Sequence, residues 1–273
     1  MTAQSQARNL AAIKDRQQKT WTSGNYTRIG NTLVIMGELL CEAVNVHAGD
    51  KVLDVATGSG NTAISAARRF CDVTAVDYVP ELIEDAHRRA EVEGMAITFD
   101  VGDAEDLPYP DASFDVVLST LGVMFAPDQE KAAEELLRVC RPGGKIGLAN
   151  WTPEGFIGKM LRTLGKHVPP SPGIEPPPLW GTEQRLRELL GDGVTSLEVK
   201  QRSYVWRYPS AGHFVEYFRS YYGPTLKAFE SLEVGGQEAL AEDLEELLES
   251  WNISSEATLI VPSDYLEVVA VRG

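Results

Sequence analysis

The residues best placed to do chemistry are Asp54 and Asp77, set around a glycine turn. The segment Lys51-Val52-Leu53-Asp54-Val55-Ala56-Thr57-Gly58-Ser59-Gly60-Asn61-Thr62-Ala63 is a short apolar run that ends in a carboxylate. It then passes two glycines and enters a stretch with helical spacing at Ile64, Ala67 and Arg68. That order predicts strand, tight turn and helix. Gly58 and Gly60 allow a sharp turn and leave no Cβ between main-chain N–H groups and a ligand. The helix starting near Asn61 adds the positive end of its dipole. Two ligand chemistries suit such a turn. Gly58-x-Gly60-x-x-Ala63, with Asp77 nineteen residues after Gly58, meets the spacing of a dinucleotide site. Asp54 argues the other way. A carboxylate at the mouth of the strand would face a pyrophosphate, a repulsion worth kcal/mol rather than tenths in a partly buried cleft. A ligand that carries an ammonium and a sulfonium is favoured at the same place.

S-adenosylmethionine is such a ligand, and the turn reads as a methyl-donor site. Asp54 would orient the ammonium, directly or through water. Backbone groups of Ala56, Thr57, Gly58 and Gly60 would line the methionine and ribose. Asp77, ending the second strand, can accept both ribose hydroxyls in a charge-assisted pair. Tyr78 either packs on the adenine or is an ordinary surface aromatic.

The stretch resembles motif I of the class I S-adenosylmethionine-dependent methyltransferases, as Asp54-x-Ala56-x-Gly58-x-Gly60, with Ala56 where the family pattern has its first glycine. A second element strengthens the likeness. Gly102-Asp103-Ala104-Glu105-Asp106-Leu107-Pro108, followed by Phe114-Asp115, is similar to the Gly-Asp-Ala-x-x-Leu-Pro and Phe-Asp signatures of the ubiquinone/menaquinone-type branch. The resemblance spans roughly residues 30–150 and fades beyond, where substrate caps diverge. It implies that Asp103 accepts from the adenine amino group and that Ala104 supplies a backbone contact. A dinucleotide enzyme has no need of this second acidic element. The rival readings are an NAD(P)-dependent oxidoreductase and a catalytically silent S-adenosylmethionine-binding module.

The elements that position these residues alternate. Strands are expected over 51–55, 73–77, 96–101, 114–120 and 145–151, with helices over 80–92 and 129–140 between them. Alternation of this kind means a doubly wound, mostly parallel α/β sheet whose right-handed crossovers bring the strand ends to one edge. Further strands over 195–206 and 265–271 complete, by the family resemblance, a seven-stranded Rossmann-like methyltransferase fold. The connection between those last two strands is too long for a hairpin, so 208–255 reads as an inserted helical cap. The expected organisation is an N-terminal helical arm or lid (1–30), a donor-binding α/β domain (31–207 and 256–273) and that cap. A helix is expected over 4–18 and another over 29–46. Trp21 and Tyr26, in a turn-rich hinge, either staple the arm to the body or close over the cofactor or substrate. The family resemblance favours closure. The stretch 168–178 carries six prolines and reads as a stiff loop.

Sulfonium methyl is already electrophilic, so the main task is in-line positioning and exclusion of water. A general base is needed only for a weak nucleophile. His213, beside Tyr217, Tyr221 and Tyr222 in the cap, is either that base, with Tyr217 assisting, or a packing residue. His167 is a weaker candidate, and His47 and His87 read as surface positions. Ser119 ends strand four beneath the donor. Leu121 to Phe125, with Met124 among them, would wall the transfer channel. Trp151 and Tyr221 head an aromatic inventory suited to a flat apolar or phenolic acceptor. The expected reaction is O- or C-methylation of a small molecule.

Charge narrows the partners. The net charge is −15, from 25 basic and 40 acidic residues, which argues against a nucleic-acid or anionic-membrane partner. Cys41, Cys71 and Cys140 are isolated and odd in number, so they read as reduced buried residues rather than disulfides or metal ligands. No signal-peptide core or bilayer-length apolar run is evident. A soluble, cytoplasmic enzyme is expected, with a small-molecule acceptor, no metal, and a homodimer as one candidate assembly.

Overall fold

A computed structural model describes residues 3–273, with side chains from Leu10 onward. The chain opens with helix α1 (Ala3–Thr22), then α2 (Tyr26–Thr32) and α3 (Val34–Val44). The one helix expected over 29–46 is therefore two, because Leu33 leaves helical geometry at φ −105°, ψ 6°. Next come β1 (Lys51–Val55), α4 (Asn61–Ala67), β2 (Asp72–Asp77), α5 (Pro80–Glu93) and β3 (Thr98–Val101). After β4 (Phe114–Thr120) and α6 (Gln129–Val139), β5 runs over Cys140–Trp151. It starts earlier than expected, taking in Pro142-Gly143-Gly144.

Beyond β5 lie α7 (Phe156–His167), α8 (Glu183–Leu190) and β6 (Val194–Tyr208). The connection to the last strand holds α9 (Ala211–Tyr221), α10 (Gly223–Glu230) and α11 (Val234–Trp251), and β7 (Leu259–Arg272) closes the chain. Helix α7 went unforeseen, although Phe156, Ile157, Met160 and Leu164 are spaced along one helical face and buried. Strand β7 begins six residues before the expected start at Tyr265. Pro262, Ser263 and Asp264 break the apolar run there, yet they pair with Val205, Tyr204 and Ser203 across the sheet edge.

The sheet has seven strands in the order β3-β2-β1-β4-β5-β7-β6. The first five are parallel, and β7 runs antiparallel to both neighbours. Alternation along each buried strand feeds two apolar layers. Val52, Val73, Val116 and Leu118 pack with Leu40 and Val44 of α3 and with Ala63 and Ala66 of α4. Leu53, Val55, Val117, Ile146 and Leu148 face the other side, where a larger core continues through Trp151 and Trp206 into α7, α9 and α11. The order reverses between β1 and β4, and that switch point opens a crevice at the carboxyl ends of the strands. Among the described residues no helix is long and apolar enough to cross a membrane, and the three cysteines are buried and unpaired.

Candidate functional site

The glycine turn sits in the crevice. Parallel pairing of β1 with β2 and β4 delivers Asp54 and Asp77 to adjacent strand ends. Gly58 and Gly60 take φ of 55° and 84°, so the turn uses the left-handed region that glycine enters without penalty. Gly60 caps α4, whose first residue is Asn61. Ala56 also has positive φ, at 54°, a conformation costing an alanine roughly 1 kcal/mol. Its methyl group is accommodated because residue 122 is glycine: a Cβ there would lie 2.7 Å from the Ala56 Cβ and 2.5 Å from its carbonyl oxygen.

Both carboxylates are deeply buried, Asp54 at 1% and Asp77 at 5% exposure. The Asp54 Oδ2 accepts from Thr57 Oγ1 at 2.5 Å and from the Ala63 N–H at 2.9 Å. Asp77 accepts from the Gly58 N–H at 2.9 Å and, on its other oxygen, from the Val79 N–H at 3.0 Å. Each carboxylate thus holds the loop as well as facing the cleft. Burial pushes the Asp54 carboxyl up to about 7 against its two hydrogen bonds, and Asp77 adds repulsion. Burial likewise pushes Asp77 up to about 6. Two buried acids with raised affinities for protons make a site that favours a cation and repels a polyphosphate.

The cleft is walled by Ala56, Gly58, Asp77, Tyr78, Asp103 and Ala104, all sequence candidates, together with Leu82, Gly102, Gly122 and Phe125. Helix α1 forms its roof with Lys14, Gln17 and Trp21. It is pinned there because Lys14 Nζ lies 2.6 Å from Asp103 Oδ2 and 2.5 Å from Glu105 Oε2, and because Gln18 Nε2 donates to the Tyr78 carbonyl at 2.5 Å. Asp103 also accepts from the Glu105 N–H at 2.9 Å, so an adenine amine would share it with Lys14. A deeper recess of the crevice is lined by Asp54, Thr57, Asn61, Thr62 and Thr120.

Against the cleft lies an apolar chamber bounded by Ile29, Leu33, Trp151, Ile157, Met160, Trp206, Phe218 and Tyr222. Trp21, Tyr26, Leu121 and Phe125 line the chamber, and each also lines the cleft or its recess. The Trp21 ring meets Phe125 at 5.1 Å, Tyr222 at 5.6 Å and Tyr26 at 5.8 Å, all edge to face. The N-terminal hinge is fixed where the Asn25 N–H donates to the Tyr221 carbonyl at 3.1 Å. Trp21 and Tyr26 thus tie the arm to the body and also line the cavity.

Several expectations are corrected. His213 lines neither cavity; its ring stacks on Tyr217 at 6.2 Å and packs on Tyr208 at 5.8 Å. Tyr217 is turned away as well, its hydroxyl donating to the Arg28 carbonyl at 3.0 Å. Tyr221 packs under the Arg28 guanidinium at 4.8 Å. The helical turn of α9 instead directs Phe218 and Tyr222 into the chamber. Met124 is fully buried in the core behind its neighbours. Ser119 supports the site from beneath, donating to the Val55 carbonyl at 2.8 Å and accepting from the Val123 N–H at 2.9 Å. Gly60 acts as the helix cap and does not wall the cleft. His167 pairs with Asp243 at 2.8 Å, outside both cavities. Trp151 lines the chamber. The residues that the sequence reading does not single out are Lys14, Gln17, Leu82, Ile157 and Met160; the amphipathic period of 156–164 is a signal for two of them.

Among the described residues no cluster of histidine, cysteine and acidic side chains could hold a metal. A family model described as a methyltransferase domain matches residues 53–148. An uncharacterised protein of Mycobacterium tuberculosis is 39% identical over 251 residues, covering 91% of each chain. A demethylmenaquinone methyltransferase of Deinococcus radiodurans is 39% identical over 131 residues, which is 46% of this chain and 54% of that one. Among solved structures, the YcgJ protein of Bacillus subtilis superimposes with a TM-score of 0.61 at 18% identity, over 89% of this chain and 98% of the other.

Proposed function

Given that the chain belongs to the class I S-adenosylmethionine-dependent methyltransferases, we propose that it methylates a flat, apolar small molecule held in the chamber between the donor cleft and α9. The observation that carries this is the shared wall of Trp21, Tyr26, Leu121 and Phe125. An acceptor in the chamber then lies next to the donor with water excluded. The donor itself is S-adenosylmethionine. Asp54 would hold its ammonium and Asp77 its ribose, with Tyr78 and Ala104 against the adenine. When bound, it supplies an electrophilic methyl group.

The acceptor brings its own nucleophile. Tyr26 and Tyr222 are the titratable side chains of the chamber. Burial pushes the Tyr26 hydroxyl up to about 12, with Asp77 adding repulsion, and raises Tyr222 further. Neither is a base at neutral pH, and His213 lies elsewhere. The chamber therefore suits molecules whose own ring carries an acidic O–H or an electron-rich carbon, such as hydroxylated quinones or acidic phenols. The demethylmenaquinone methyltransferase relative, matched over 46% of this chain, is consistent with this class. Both O- and C-methylation fit; the acceptor atom nearest the sulfonium decides.

The test is methyl transfer from labelled donor to a series of ring hydroxyls of graded acidity. Turnover should be confined to members ionised at the assay pH and should be insensitive to His213→Ala. Equal rates for unionised and ionised members would refute the absence of a protein base. Donor binding without turnover on any member would favour the silent binding module.

A further inference from the structure

A concavity far larger than the chamber lies on a different face of α7. Ile157 and Met160 point into the chamber, whereas Gly158, Leu161 and Gly165, about a quarter-turn round the helix, line the other cavity. The proline-rich loop forms its far wall through Pro176 to Leu179, and Pro224 and Ala228 of α10 close the end. The space is about 780 Å³, within the range of pockets that enclose a drug-sized ligand. Its walls are preorganised, since prolines lose little freedom when they meet a ligand.

The charge at its rim runs against the rest of the chain. Overall, 40 acidic residues outnumber 25 basic ones. Among the described residues that line this cavity the order is reversed: Arg162, Lys166 and Lys227 against Glu175. The cations come from two facing helices, Arg162 and Lys166 from α7 and Lys227 from α10. Their existing pairs are weak and solvated. Arg162 lies 3.4 Å from Glu154, with both side chains more than half exposed, and Lys227 pairs with its own helical neighbour Glu230. An apolar trough with a cationic rim matches a molecule with a hydrocarbon body and an anionic head.

We propose that this groove binds a single-chain anionic amphiphile, a free acyl carboxylate, at a site separate from methyl transfer. The chain would lie along Leu161, Leu164, Val168 and Leu179, and the carboxylate would sit between Lys166 and Lys227. Helix α7 then has one face toward the acceptor and another toward this ligand.

The experiment is calorimetric titration of dodecanoate, below its micellar concentration, into the full chain saturated with S-adenosylhomocysteine. One equivalent should bind. Shortening the acid by two carbons should weaken binding roughly tenfold, from the transfer free energy of two methylenes. Lys166→Glu with Lys227→Glu should weaken the acid at least tenfold and leave the neutral alcohol of equal chain length unchanged. Gly165→Trp fills the groove directly, because a Cβ at Gly165 meets only Pro170 Cδ at 3.8 Å. It should abolish binding of acid and alcohol while the melting temperature and donor affinity hold. Several outcomes overturn the proposal: no binding by the unaltered chain, full binding by Gly165→Trp, or no preference for the acid over the alcohol. Light scattering that finds this face closed in a dimer, opened by Gly165→Trp, would assign the groove to a second copy instead.

Discussion

Replacing Asp54 by asparagine separates what the carboxylate does for the fold from what it does for the ligand. One oxygen, Oδ2, accepts both the Thr57 hydroxyl and the Ala63 N–H, so an asparagine oxygen in its place keeps both bonds and removes only the charge. With the folded pKa near 7, the sign of the linkage is clear. A carboxyl raised in the folded state stabilises fully below its unfolded value, and that contribution is lost as pH rises through about 7. The shift corresponds to a burden on the order of 4 kcal/mol on the ligand-free protein at alkaline pH. Asp54→Asn should therefore raise the melting temperature of the ligand-free protein at pH 8 by several degrees, and by less than half as much at pH 5. It should at the same time weaken donor binding by about 1.5–3 kcal/mol, the worth of a charged hydrogen bond.

Binding itself should follow Asp54. If the bound ammonium keeps it ionised, affinity falls about fivefold from pH 7 to 6 and about fiftyfold from pH 7 to 5 from this group alone. Asp77, with its pKa near 6, steepens the lower end. Calorimetry of S-adenosylhomocysteine in buffers of different ionisation enthalpy should detect about half a proton released by Asp54 at pH 7. Affinity that stays flat between pH 5 and 8, or an Asp54→Asn protein less stable than the parent at pH 8, would refute the reasoning.

Asp77→Ala should cost about 1.5–3 kcal/mol of donor binding by equilibrium titration, with loss of its hold on the Gly58 N–H adding to that. Trp21→Ala removes edge-to-face contacts to Tyr26, Phe125 and Tyr222, each worth about 0.5–1.5 kcal/mol. In steady-state kinetics it should lower kcat/KM for the acceptor more than it weakens the donor. His213→Ala should leave both the rate and its pH profile unchanged; a lost acidic limb would return the histidine to the mechanism. Ala56→Gly relieves a positive φ and should leave donor affinity equal or improved, read by the same titration.

The donor half was legible because its determinants are local. Asp54, Gly58, Gly60 and Asp77 lie at the ends of consecutive strands, and right-handed parallel crossovers allow their elements little choice but to converge. Spacing alone therefore places them, as it places Asp103 and Ala104 after β3. The carboxylate pKa values were not legible, since they depend on how completely α1 and α4 bury the turn. The apolar chamber was decided by tertiary packing. On α9, Tyr217, Tyr221 and Tyr222 are indistinguishable by type, and only the angle at which the helix meets the sheet sends Tyr222 inward and Tyr217 and Tyr221 outward. Helix α7 supplies Ile157 and Met160 from a stretch with no motif. Lys14 reaches Asp103 across 89 positions of sequence, a contact that no local period encodes. The sequence by itself determined the cofactor chemistry, because that rests on backbone turns and strand ends. The shape of the apolar chamber arises from side chains of four distant helices and the sheet, so only the folded chain could decide it.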